Sequence, residues 1–165
     1  MRRIISIILE NEPGALSRIV GLFSQRAFNI ESLSVAATEE QSLSRITIST
    51  FGDDKVLEQI TKQVNKLIDV IKVTDLTDRP HIEREIVLVK VLAMNGKTRD
   101  EVKRLTDIFR GDIIDVGKQI YTVQLTGDED KISSFIKAVG NETEIIEVVR
   151  SGTVGIARGE KALRV

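Results

Sequence analysis

Histidine, tyrosine and cysteine, side chains often recruited for acid–base and nucleophilic chemistry, are scarce or absent in this chain of 165 residues. It has one histidine, His81, one tyrosine, Tyr121, and neither cysteine nor tryptophan. Disulfides, cysteine-ligated zinc, iron–sulfur clusters and thiol catalysis are therefore excluded for this chain, and few of the usual tools for general acid–base work, histidine above all, are present. His81 follows Pro80 with no Asp–Ser pair or metal-ligand cluster beside it, and reads as a solvated linker histidine rather than a catalytic one. Asp128-Glu129-Asp130 could ligate a cation, but acids at the start of a helix are favourable without any metal. Gly152, Gly155 and Gly159 have neither the spacing nor the following helix of a nucleotide-binding loop. No catalytic and no metal-ligating set emerges.

What remains is recognition by backbone and amide groups. The turn Asn11-Glu12-Pro13-Gly14-Ala15-Leu16 lies between an apolar run, Ile4 to Leu9, and an amphipathic helix. Proline fits a first helical turn because its missing N–H would be unpaired there anyway. Small residues at Gly14 and Ala15 let a ligand approach the backbone. Free amides of Gly14, Ala15 and Leu16, with the positive end of the helix behind them, suit a carboxylate. Asn11 supplies both an acceptor and a donor, which suits a molecule carrying both charges. An ordinary self-capped strand–helix turn has the same composition, and the residues alone leave both readings open. The same holds for Asn29, before Ile30, which is either a polar ligand contact or a turn residue leaving the helix.

Position must come from the elements around these residues. Isoleucine, valine and leucine number 22, 17 and 13, so β-branched aliphatics outnumber leucine threefold. Stiff branched side chains suit pleated sheets. Ile4–Leu9 reads as a strand; Leu16, Ile19, Val20 and Phe23 recur at helical spacing; Ile30–Ala37 and Arg45–Phe51 alternate as strands. A second helical stripe, Val56, Leu57, Ile60, Val64 and Leu67, precedes a strand from Val70 to Leu76. The order β-α-β-β-α-β is the ferredoxin-like pattern. It begins again after Thr77-Asp78-Arg79-Pro80-His81. Ile82–Met94 is a strand, and Thr98 with Glu101 makes a capping box. Val102, Leu105 and Phe109 form the next stripe, stopped at Gly111. Ile113–Val116 and Ile120–Leu125 make a hairpin turned at Gly117-Lys118. Asp128 opens a helix striped by Ile132, Phe135, Ile136 and Val139 and closed at Gly140, and Ile145–Val149 ends the pattern.

The fold class expected is α+β, two tandem ferredoxin-like βαββαβ domains: residues 1–77, a linker 78–81, residues 82–150, and a flexible tail 151–165. Two helices cover only one face of a four-stranded sheet, yet Ile4–Leu9 and Ile86–Leu92 look apolar on both faces. The missing cover must come from the other unit or from another subunit, so oligomerisation is expected.

Bulk charge excludes a basic nucleic-acid binder, since 24 Lys and Arg stand against 25 Asp and Glu. The strand Arg45–Phe51 also lacks the stacking aromatics of an RNA-binding sheet. No apolar run approaches the ~18 residues that cross a bilayer. Met1-Arg2-Arg3 before an apolar stretch has the outline of a signal peptide, but Ser6 interrupts the stretch and no small-residue cleavage site follows. The sequon at Asn141 has meaning only in a secreted chain. Neither nucleic acid nor membrane is an expected partner, and the expected location is the cytoplasm.

Leu9-Glu10-Asn11-Glu12-Pro13-Gly14-Ala15-Leu16-Ser17-Arg18, with Phe23 and Phe28-Asn29-Ile30-Glu31-Ser32-Leu33, resembles the ACT domain, an amino-acid-sensing βαββαβ module. With Glu83-Arg84-Glu85, Arg99-Asp100-Glu101-Val102-Lys103-Arg104, Phe109-Arg110, Tyr121-Thr122-Val123, Arg150-Ser151-Gly152 and Arg158-Gly159, the whole chain is similar to the small regulatory subunits of acetolactate synthase (acetohydroxyacid synthase). Ala27 stands where that family commonly has glycine, which is expected to stiffen the turn before Asn29.

The resemblance implies regulation of a separate catalytic subunit in branched-chain amino-acid synthesis, with activation and feedback inhibition by valine. Leucine and isoleucine are further candidate effectors, because a methylene discriminates by only about 1–3 kcal/mol. The resemblance places thiamine diphosphate, FAD and magnesium in the catalytic subunit and no cofactor in this chain. It implies a homodimer through side-by-side ACT domains, with Asn11, Gly14, Ala15 and Leu16 of one protomer facing Asn29 and Ile30 of the other. The alternatives are a stand-alone amino-acid sensor acting on another target and an acylphosphatase-like enzyme. The latter is disfavoured because the turn 11–16 has no arginine.

Overall fold

Isoleucine at positions 4, 5, 7 and 8 and leucine at 9 make β1 (Arg2–Glu10), an inner strand of the first sheet, and all five side chains are buried. The computed structural model describes residues Met1–Val165, which divide into two units. Unit 1 is Met1–Glu83 together with Thr153–Val165, and unit 2 is Arg84–Gly152.

In unit 1, α1 (Ala15–Gln25) follows β1, then β2 (Ile30–Ala37), β3 (Leu43–Phe51), α2 (Asp54–Val64) and β4 (Val70–Asp75). The antiparallel sheet has the order β2-β3-β1-β4. Opposite residues such as Ile5↔Ile48 and Ile7↔Ile46 turn the same way, and with Leu9, Ala15, Ile19, Phe23, Ile60 and Val64 they form the core. Leu67 packs on that core although α2 ends before it.

β1 is buried on both faces, and the cover for its second face comes from this chain. The segment 151–165, expected as a flexible tail, contains β9 (Val154–Ala157), which pairs with β5 (His81–Leu92). Arg45 donates from Nε to Ser6 Oγ at 2.8 Å and from Nη2 to Gly155 O at 2.9 Å. A side-chain carbon on Gly155 would lie 2.9 Å from Leu76 Cδ1 and 3.6 Å from Ile4 Cγ2. Glycine is therefore present for close packing, and not for mobility. Residues 78–81 are tied down as well. Arg3, almost fully buried on β1, donates to Asp78 at 3.2 Å and pairs with Asp54, while the Arg158 amide donates to Pro80 O at 2.9 Å.

Unit 2 repeats the pattern with β5 from Arg84 onward, its first three residues belonging to unit 1, then α3 (Gly96–Ile108), β6 (Asp112–Val116), β7 (Ile120–Gly127), α4 (Glu129–Glu142) and β8 (Ile145–Arg150), in the sheet order β6-β7-β5-β8. Val87, Val89 and Val91 of β5 turn inward onto Val102, Leu105, Val123, Leu125, Ile132, Phe135 and Val139. Its other face, expected to be covered, leaves Ile86 39% and Leu88 36% exposed.

Two helix ends differ from expectation. Asn95 caps α3 by accepting from the Thr98 amide at 2.9 Å, so Thr98 lies inside the helix and the Thr98–Glu101 capping box does not form. Gly140 lies within α4, which continues to Glu142. At the end of α3 the left-handed residue is Arg110, with φ 58°, and Gly111 follows it, donating to Thr106 O at 2.8 Å. Gly111 is needed because a side-chain carbon there would meet Gln124 O at 2.8 Å.

Candidate functional site

The turn after β1 is built by main-chain hydrogen bonds. The Glu10 amide donates to Asp69 O and the Asn11 amide to Ser42 O, each at 2.8 Å. Asn11 Nδ2 donates to Gln41 O at 3.0 Å, which fixes the carboxamide and leaves Oδ1 without a donor from the chain. Gly14 then reverses direction in the left-handed region, φ 85°, and caps α1 with no side-chain hydrogen bond. An L side chain adopts that backbone only at a cost, so glycine is the expected residue.

The donors differ from those expected. The Ala15 amide is engaged by Glu12 O at 3.2 Å and its methyl is buried in the core, so Ala15 builds the turn. The amides of Gly14, Leu16 and Ser17 meet no acceptor in the chain. Ser17 went unrecognised in the sequence, although the third amide of any uncapped helix is open.

Arg18 also went unrecognised. Its side chain runs back along α1 and donates from Nε to Asp69 Oδ2 at 2.5 Å. Its Nη1 lies 3.0 Å from where a side-chain carbon on Gly14 would stand. The sequence signal was available, because helical side chains lean toward the N-terminus and four residues separate Gly14 from Arg18. The hydrogen bond from Arg18 holds the Asp69 carboxyl below its ordinary range, and the same contact raises the Arg18 pKa.

Asn29 and Ile30 stand at the far end of α1. That helix has 11 residues and so is about 16 Å long. Asn29 and the 11–16 turn of one chain therefore do not meet. Asn29 is exposed with its side chain unpartnered, its carbonyl accepts from Thr50 Oγ1, and Ile30 packs on the core. Ahead of Asn29 the helix ends in paired bonds, Ala27 N–H to Ser24 O at 3.1 Å and Phe28 N–H to Phe23 O at 2.9 Å. Ala27 is left-handed at φ 56°, the conformation this ending demands and glycine adopts without strain. Ala27→Gly is expected to stabilise unit 1 by about 0.5–1 kcal/mol, the left-handed cost to alanine less the extra chain entropy of glycine. Urea melts would read this as a raised midpoint at unchanged slope.

The remaining candidates have structural partners. His81 Nδ1 lies 2.8 Å from Arg79 O, and Nε2 lies 3.8 Å from Glu83. Asp128 caps α4 by accepting from the Lys131 amide at 2.9 Å. No three His, Cys, Asp or Glu side chains are grouped so as to hold a metal ion, and no helix is long and apolar enough to cross a membrane.

Comparison with known proteins places this geometry. Residues 84–159 match the family described as the small subunit of acetolactate synthase, and residues 5–72 match the AHAS small subunit-like ACT domain. The acetolactate synthase small subunit of Haemophilus influenzae is 61% identical over 98% of each chain. This chain belongs to the acetolactate synthase small-subunit family. The isozyme 3 small subunit of Escherichia coli is 58% identical over 99% of this chain and all of its own. The crystal structure of the small subunit from Thermotoga maritima superposes with a TM-score of 0.86 at 36% identity, covering 98% of this chain and 99% of that one. The tandem ferredoxin-like architecture with an N-terminal ACT domain is thus the small-subunit fold, and the candidate turn lies within its ACT domain.

Proposed function

We propose that this small subunit is a regulatory, non-catalytic protein that binds a catalytic acetolactate synthase subunit, raises its turnover and makes it sensitive to valine. Thiamine diphosphate, FAD and magnesium belong, on this reading, to the catalytic subunit. The observation that carries the reading is the uncapped start of α1. The amides of Gly14, Leu16 and Ser17 meet no acceptor in the chain, and Asn11, three residues before Gly14, keeps a fixed Oδ1 without a donor, a set that suits a carboxylate and an ammonium together.

The site is completed by a second copy. β2 is an end strand of the first sheet. Val35 is 43% exposed on it, and on α1 Leu16 is 37% and Val20 39% exposed. An end strand and apolar side chains open to solvent favour pairing with another chain. β2 runs in the same direction as β1, because each is antiparallel to β3. Two β2 strands paired antiparallel would bring Asn29 and Ile30 of the partner subunit to the end where the 11–16 turn lies. Asn11, Gly14, Leu16 and Ser17 would hold the charged end of valine, with Ala15 shaping the turn. Asn29 and Ile30 of the partner subunit would meet the rest.

The test is reconstitution with the catalytic subunit of the same organism. Mixing is expected to raise turnover several-fold and to introduce inhibition by valine, in line with coupling of about 1–3 kcal/mol between linked sites. Unchanged turnover and unchanged valine response on mixing would overturn the proposal. Valine binding with no effect on the catalytic subunit would assign the chain to sensing for another target.

A further inference from the structure

A guanidinium offers two edges to carboxylates, one through Nε and one through the two terminal nitrogens. In Arg18 the first edge is taken, since Nε donates to Asp69 Oδ2 at 2.5 Å. Asp69 is itself held in place. It is buried, and its carbonyl accepts the Glu10 amide at the end of β1. The second edge of Arg18 meets no acceptor in the chain. Its Nη1 stands over Gly14, with Nη2 within 3.8 Å of the same ideal side-chain position. Surface arginines usually sample many rotamers, and this one is aimed.

We propose that Arg18 is the residue that recognises the carboxylate of the amino-acid effector, through its two terminal nitrogens, with Asp69 as the residue that positions it. The inference rests on the amino-acid-binding reading above and changes what that reading asks of the turn. The open amides are left to orient the ligand, and the arginine reads its negative charge. The aim is held by geometry, the Nε hydrogen bond to a buried carboxylate, and the same bond holds the Asp69 carboxyl below its ordinary range.

The experiment titrates the full-length chain calorimetrically with L-valine and with L-valinamide, which lacks the negative charge. Wild type is expected to bind valine and to bind valinamide about 10- to 100-fold more weakly, as loss of a charge-assisted pair implies. Arg18→Gln is expected to weaken valine by a similar factor and to leave valinamide within about twofold of wild type. Asp69→Asn, which leaves the contacting group in place and loosens its aim, is expected to fall between. Should Arg18→Gln fail to fold, Arg18→Lys, which keeps the charge and loses the fork, is expected to discriminate the two ligands less than wild type does. Valine affinity unchanged in the arginine variants, or equal losses for both ligands, overturns the assignment and leaves the effector reading standing. If wild type binds neither ligand, the effector reading itself fails.

Discussion

Gly14→Asp is expected to leave unit 1 folded while weakening valine binding by about 100-fold or more, and to remove valine inhibition of the reconstituted enzyme without removing activation. Three features set the expectation. The backbone at Gly14 is left-handed, φ 85°, a region that aspartate tolerates better than most residues. The new side chain would start 3.0 Å from Arg18 Nη1, so its carboxylate would be delivered to the guanidinium edge and to the positive end of α1. An intramolecular carboxylate would then occupy the place assigned to the ligand's, and valine would have to displace it. Calorimetry with valine reads the loss, and circular dichroism melts check that the fold survives. Valine affinity equal to that of wild type would remove the 11–16 turn from the site. Gly14→Ala separates the two causes: it meets the same backbone strain and supplies no carboxylate, so it is expected to weaken binding less.

Most of the first and second units was legible in the sequence because their cores repeat at the periods of helix and strand. Ile46 and Ile48 alternate on β3, and Ile19 and Phe23 recur on α1, where burial confirms them. What escaped depends on partners distant in sequence. Arg18 gains its meaning from Asp69, 51 residues away, and no local pattern joins them. Ala15 looked available because Gly-Ala is small, but whether an amide is free depends on where the preceding carbonyl points, and Glu12 O points at it. Asn95 and Thr98 are both good capping types three residues apart. The structure uses the asparagine, since Gly96 and Lys97 already lie in the helix. The C-terminal segment was hardest to read, because glycine serves flexible tails and also packs against Leu76 and Ile4 without displacing either side chain. Composition cannot tell these uses apart; the neighbour at 2.9 Å does.

That neighbour makes the C-terminal segment a structural part of the ACT unit, and deletion of residues 153–165 is expected to destabilise unit 1 by about 2–4 kcal/mol. Ile4 and Leu76 are 2% and 1% exposed with the segment in place, and each side chain's full burial is worth about 1.5–3 kcal/mol as an upper estimate. Further contacts would also be lost. Arg2 Nη2 donates to Thr153 Oγ1 at 3.2 Å, the Thr153 amide to Ser32 Oγ on β2 at 3.4 Å, and Lys72 Nζ on β4 to Arg164 O at 3.0 Å. Arg45 would keep Ser6 but lose Gly155 O. For a unit of this size each kcal/mol corresponds to about 4–8 °C, so the unfolding transition of unit 1 should fall by about 10–20 °C in a calorimetric scan. Gly155→Val probes the same contact without shortening the chain. Its branched side chain must displace buried Leu76, at a cost of about 1–3 kcal/mol. Amide exchange of β1 and β4 locates the effect: both variants are expected to speed exchange there and to leave the core of α3 and α4 at wild-type rates. A transition unmoved by either change would mean that the segment lies on the sheet without supporting it, and that β1 owes its second buried face to something else.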